Sequence, residues 1–292
     1  MTTRPPGGEP PRGATIIAAV DLDHPWTRPL PSKVPDVSTH FWILTLLSTT
    51  VGAITADLVS DDLGSGVGVG MSATTAIIGL LVASSLLWQV STAHYLPSSY
   101  WLAVISVSVL GTLISDDLVD RLGLGPWVAT GLFCAALVAA FAAWYATERT
   151  VSFHTVRTRL RELWYWLVLL CAFSLGASVD DLVSETLGLG HASAGLVFVA
   201  ALALTAIAYD RAWIPALVAS WTAYVLTPPV GVALGDLLTA TPTDGGLGWE
   251  TSATSAGLLV VILVIGLVTR RARDHGRQQS GVGHVSRPTV GP

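Results

Sequence analysis

Four aspartates, Asp57, Asp116, Asp181 and Asp236, are the residues of this sequence best placed to do chemistry. Each closes the same pattern of a tryptophan, nine residues, a glycine, four residues and the aspartate. The tryptophans are Trp42, Trp101, Trp166 and Trp221, and the glycines are Gly52, Gly111, Gly176 and Gly231. Carboxylates are hard oxygen ligands, so four in register could hold Mg²⁺, Ca²⁺ or Mn²⁺ in preference to soft metals. They could equally carry protons. The competing use is local, because an aspartate can bond the backbone N–H groups of a turn, and a glycine-rich turn follows each one. The pattern makes no firm assignment of a metal.

Other chemistry is not indicated. No nucleophile elbow, phosphate loop, HExxH or dinucleotide fingerprint stands in a plausible context. The stretch Gly66-Val67-Gly68-Val69-Gly70 lacks the lysine of a phosphate loop. Cys134 and Cys171 both fall inside apolar runs with no second cysteine or histidine at ligand spacing. His40, His94, His154 and His191 occur singly at segment ends and read as interface residues. The acidic pairs Asp61-Asp62, Asp116-Asp117 and Asp180-Asp181 read as solvated loop charge. The expectation is a protein that is not an enzyme and binds no cofactor and no nucleic acid.

The elements that must position the aspartates are apolar runs at 41–60, 67–90, 98–119, 126–147, 162–184, 191–209, 213–238 and 249–269. Each is near the ~20 residues that a helix needs to cross a bilayer core. A lone apolar strand would leave its backbone unpaired in lipid, so helices are expected. Pro228-Pro229 should kink or break the seventh, since the pair removes two donors. A chain that is 51% hydrophobic and 12% charged, with a mean hydropathy of +0.61, carries about half the charge of a soluble domain.

Odd-numbered segments carry the Trp–Gly–Asp pattern. A G-x-G turn follows each: Gly64/Gly66, Gly123/Gly125, Gly188/Gly190 and Gly246/Gly248. Even-numbered segments share a Gly-Leu pair: Gly79-Leu80, Gly131-Leu132, Gly195-Leu196 and Gly257-Leu258. This defines four repeats, at 37–95, 96–147, 148–209 and 210–271, between tails at 1–36 and 272–292 that read as disordered cytoplasmic segments. The short run Ala14–Val20, interrupted by Asp21, is too short for a signal-peptide core. Two crossings per repeat give every copy the same orientation, so the repeats are parallel.

Fourteen of the fifteen Lys and Arg residues fall on the side of the termini, leaving Arg121 opposite. The positive-inside rule then puts both termini in the cytoplasm of a bacterial plasma membrane. A cysteine placed at Ser65 is expected to react with an impermeant thiol reagent from outside; labelling only after permeabilisation would reverse this topology. The outer face is acidic, which concentrates cations and repels anions. Arg157, Arg159 and Arg161 are placed to meet anionic headgroups.

Fifteen residues from Trp to Asp span about 22 Å of helix and return to within about 60° of the starting direction. With the tryptophans as interfacial anchors or packing residues, the aspartates lie deep on the same face, where an inward position avoids lipid. The repeat glycines are expected to let helices approach closely. Thr49, Thr50, Ser174, Ser178 and Thr227 are candidates for bonds between helices.

The lines Lys33-Val34-Pro35, Trp42 to Asp57, Tyr100-Trp101 to Asp117 and Trp166 to Gly190 resemble the bacterial multi-spanning membrane proteins built from four tandem two-helix repeats of unknown function, marked by a tryptophan. The resemblance covers roughly Lys33 to Arg271 and implies a multi-spanning membrane protein without a substrate or reaction. The second copy departs from the pattern, with Asp117 where the others have Leu58, Leu182 and Leu237.

The sequence thus reads as an all-α integral membrane protein of eight transmembrane helices. Its partners are the lipid bilayer and small cations or protons, and the oligomeric state is open. The leading expectation is a small-cation transporter or exporter, with divalent ions favoured. The alternative is a non-transporting scaffold, sensor or lipid-organising protein. An enzyme acting on lipid or peptide would need a reactive constellation that the sequence lacks.

Overall fold

The computed structural model describes residues 33–35, 37–60, 71–92, 95–152, 156–242 and 246–265. Asp61, Asp62, Gly64, Ser65, Gly66, His94, His154 and Asp244 lie outside them, as do Arg270, Arg271 and the expected tails except residues 33–35, whose Lys33 and Val34 are buried.

The described residues form helices α1 Thr39–Val59, α2 Met71–Ser91, α3 Pro97–Asp116, α4 Pro126–Glu148, α5 Arg159–Asp181, α6 His191–Asp210 and α7 Ala216–Thr239. A further helix, α8, covers Thr251–Ile265. Local signals set the starts. Ser38 and Thr158 accept bonds from Phe41 N and Arg161 N, and Pro97 and Pro126 take first-turn positions where no N–H is needed. Gly188 (φ 70°) and Gly190 (φ 75°) turn the chain from α5 into α6 through the left-handed region that other residues avoid.

Six of these helices are long and apolar enough to cross a membrane: α1, α3 and α5 (the last two counted with a following turn), α4, α6 and α7. The apolar stretches Ala76–Ser91 and Thr251–Ile265 are shorter. Leucines cover the outer surface, with Leu80, Leu87, Leu196 and Leu204 all at least 65% exposed. A contiguous apolar exterior of this kind is unusual for a protein facing water.

The odd helices close into a ring. α1 packs on α3 and α7, and α5 packs on the same two. The even helices sit outside, α2 against α3, α4 against α5 and α6 against α7. α8 reaches α1 through Thr55 Oγ1 and Ser255 Oγ, 3.1 Å apart.

The repeat glycines lie at the ring's seams. A Cβ on Gly52 would fall on Ser108 of α3, and one on Gly111 would stand 3.0 Å from Phe173 Cβ of α5. One on Gly176 would fall on Pro228 of α7, and one on Gly231 on Thr49 of α1. Each glycine thus abuts the next odd helix. The paired glycines of the even helices differ: at Gly79, Gly131 and Gly257 a Cβ would meet nothing within 4 Å.

Of the kink or break expected at Pro228-Pro229, the break is corrected, since α7 runs through the pair as one helix. The two rings lie against Gly176, where the facing helix has no side chain to collide with. The hydroxyls also divide. Ser178 bonds across to Thr130 of α4 at 2.8 Å, whereas Thr49, Thr50 and Thr227 turn back onto Leu46 O and Ala223 O of their own helices. That choice is open to any hydroxyl on a helix.

One buried ion pair fastens the segment before α1. Lys33 Nζ donates to Glu162 Oε2 at 2.7 Å and to Val90 O at 3.1 Å. Gln89 Nε2 donates to Glu162 Oε1, and Ser99 Oγ to Gln89 Oε1. The two charged side chains are 7% and 1% exposed. Removing one member of a buried pair strands the other charge, at a cost of about 3–5 kcal/mol. Lys33→Met is therefore expected to lower the melting temperature sharply, and Lys33→Met with Glu162→Met to recover much of the loss. A single variant melting like the parent would show that the pair contributes little.

Candidate functional site

All four repeat aspartates line one pocket of about 820 Å³ at the C-terminal ends of the odd helices. The wall one turn deeper is fourfold as well. Ala53, Thr112, Ala177 and Val232 each precede their aspartate by four residues and line the same pocket, so corresponding faces of the four helices meet there. Asp120, Glu185, Glu250 and His191 complete the polar rim. Asp116 lies within electrostatic reach of Asp57, Asp181, Asp120 and Asp117. Arg121 Nη1 is 3.8 Å from Asp117 Oδ1.

Among the described residues, two helices have a full π turn just past the aspartate. The chain continues as a π turn over Asp117–Arg121 after Asp116 and over Leu182–Thr186 after Asp181. π turns often mark functional sites. Glu250 caps α8: its carboxylate accepts from Ser252 Oγ, from Ala253 N at 2.7 Å and from Ser252 N at 3.1 Å.

At the other end of the ring an aromatic layer fills the interior. The hydroxyls of Tyr100 and Tyr165 are 2.6 Å apart, those of Tyr165 and Tyr224 2.8 Å, and those of Tyr100 and Tyr224 3.5 Å. All three side chains are fully buried. Phe41 meets Trp101 at a tilt and Tyr224 edge-on, and Tyr100 meets Trp166 at a tilt. Trp101, Trp166 and Trp221 are buried within this layer, and Trp42 is half-buried against Phe41 and Tyr224. Trp221 Nε1 donates to Val151 O at 2.9 Å. Of the two roles open to the tryptophans, helix packing is the one their burial supports.

The sequence reading missed three features of the site. The tyrosine triad was signalled by Tyr100 and Tyr165, which directly precede repeat tryptophans, as Phe41 does. Asp180 is wholly buried between helices, whereas its pairing with Asp181 suggested loop charge. His191, expected at an interface, lies in the pocket with Nδ1 3.0 Å from Asp236 Oδ2.

An all-helical chain with tandem sequence repeats and apolar helices of membrane-spanning length defines a class of repeat protein suited to a bilayer. The chain belongs to the family described as a Repeat of Unknown Function (DUF347), whose model matches residues 40–95, 99–150 and 221–274, more than half of its length. The third copy, with Trp166, Gly176 and Asp181, falls between the matched stretches. No curated protein and no solved structure matches the chain.

Proposed function

We propose that this is a multi-pass protein of the bacterial plasma membrane that moves small cations, divalent ions foremost, through the aspartate-lined vestibule. In this reading eight helices cross the bilayer as four parallel repeats about one axis, with both termini cytoplasmic. The observation that carries it is the convergence of Asp57, Asp116, Asp181 and Asp236 on a single pocket. Intramembrane acids of this kind line ion and proton pathways in other membrane proteins. For orientation, Leu122 in the second hairpin, two residues before the position equivalent to Ser65, is 70% exposed and gives the thiol-labelling test a described position.

The experiment is cation entry into vesicles that hold the purified chain and an internal indicator dye. Entry of Mn²⁺, Mg²⁺ or Ca²⁺ well above that of protein-free vesicles is expected. Entry at the protein-free rate for every ion tested would reject transport. One observation favours the second reading, a non-transporting scaffold, sensor or lipid-organising protein. The buried tyrosine triad closes the ring at the tryptophan end, so a path must open there for an ion to pass.

A further inference from the structure

A second arrangement of ligands stands beside the fourfold one. Asp180 on α5, His191 at the start of α6 and Asp236 on α7 each bring one donor atom to a common point, all three lying within 4.8 Å of one another. His191 Nδ1 is 3.0 Å from Asp236 Oδ2 and 4.0 Å from Asp180 Oδ2. Donor atoms bound at ~2.0–2.2 Å to one metal are themselves roughly 3–4 Å apart. The two His191 distances are therefore already at ligand spacing, and the two carboxylates, within 4.8 Å of each other, need small side-chain adjustments.

Asp180 distinguishes this group from a patch of surface acids. Its side chain is 0% exposed. Neither Asp180 carboxylate oxygen has a hydrogen-bond partner among the described residues, while His191 Nδ1 meets Asp236 Oδ2 at 3.0 Å. A buried carboxylate with nothing bound to it is costly, because it has lost water and gained no donor. It faces an imidazole nitrogen and a second carboxylate, so a cation at their common point would satisfy all three groups at once.

We propose that Asp180, His191 and Asp236 form a divalent metal site that takes Mn²⁺, Zn²⁺ or Co²⁺ in preference to Mg²⁺ and Ca²⁺. The preference follows from the ligands: an imidazole suits first-row transition metals, whereas all-oxygen sites suit Mg²⁺ and Ca²⁺. Three protein donors leave coordination positions over for water or an arriving group. His191 and Asp236 line the vestibule while Asp180 lies behind them, so those positions face the open side. The bound ion would also join α5, α6 and α7. In taking the vestibule as the ion's route, the inference rests on the proposed function, but metal occupancy is separable from transport.

The test uses the full chain in detergent, loaded with Mn²⁺. Electron-spin-echo modulation from a coordinated ¹⁴N is expected in the unaltered protein and is lost in His191→Gln. Asp180→Asn, nearly the same shape as the parent, is expected to weaken Mn²⁺ binding at least about tenfold, while Asp117→Asn, at a nearby acid that does not line the vestibule, leaves it nearly unchanged. Bound Mn²⁺ without ¹⁴N modulation in the unaltered protein would overturn the site. So would equal weakening by Asp117→Asn and Asp180→Asn, because that is the signature of diffuse acidic charge. The two proposals separate cleanly. Nitrogen-coordinated Mn²⁺ with no vesicle flux leaves this site standing and removes transport; flux without nitrogen coordination does the reverse.

Discussion

Vesicles holding the Asp116→Asn, Asp181→Asn double variant are expected to lose cation entry by at least about tenfold, a difference of about 1.4 kcal/mol or more. The two residues sit on α3 and α5, neighbours in the ring, and both line the vestibule. Asparagine keeps the shape and removes the charge, so the change is electrostatic and not steric. Two negative charges fewer in a confined pocket lower the local cation concentration and remove hard oxygen ligands. The fold should survive, since fewer like charges then crowd together. The measurements are initial entry rate at equal reconstitution and a melting curve beside it. Parent-like entry by a folded double variant would exclude these carboxylates from any ion path.

Gly176→Leu is expected to have the largest effect on stability of any single change to the repeat. A Cβ there would fall on Pro228 and stand 2.8 Å from Pro229 Cδ and 3.2 Å from Pro229 N. Proline rings cannot rotate away, so α5 and α7 must separate. Overpacking of this kind costs typically about 1–3 kcal/mol, and rigid neighbours place it at the upper end. For a chain of this size that corresponds to roughly 5 °C of melting temperature. Gly131→Leu is the matched control, because nothing lies within 4 Å of its Cβ position. Equal melting of the two variants would show that the ring does not depend on this close approach.

Much of the helical framework could be read from the amino-acid order, because apolar run length and a fixed Trp–Gly–Asp spacing are properties of one dimension. The rotation of about 60° over fifteen residues placed Trp and Asp on one helix face, and the four aspartates do share one pocket. What spacing could not show was how the repeats close. That depends on Gly52, Gly111, Gly176 and Gly231 each meeting the next odd helix, a relation between copies. Asp180 and His191 were obscure for the same reason. Their distance in sequence is a hairpin, and the third partner, Asp236, comes from another repeat. Pro228-Pro229 misled because a proline pair breaks an isolated helix, whereas here the surface opposite is a glycine. The even-helix glycines repeat as faithfully as the odd ones, yet three of the four face open space.

The most direct test of the aspartate site is a melting panel on the detergent-purified chain in Mg²⁺, Ca²⁺, Mn²⁺, Zn²⁺, Na⁺ and K⁺, beside a variant with Asp57, Asp116, Asp181 and Asp236 all changed to asparagine. If the four carboxylates bind a cation, one ion class raises the melting temperature of the parent selectively, by about 2.7 kcal/mol at a hundredfold excess over its Kd, and the variant shows no such rise. A parent that no ion stabilises, together with a variant that melts far lower in every salt, would contradict a cation site and make the aspartates structural.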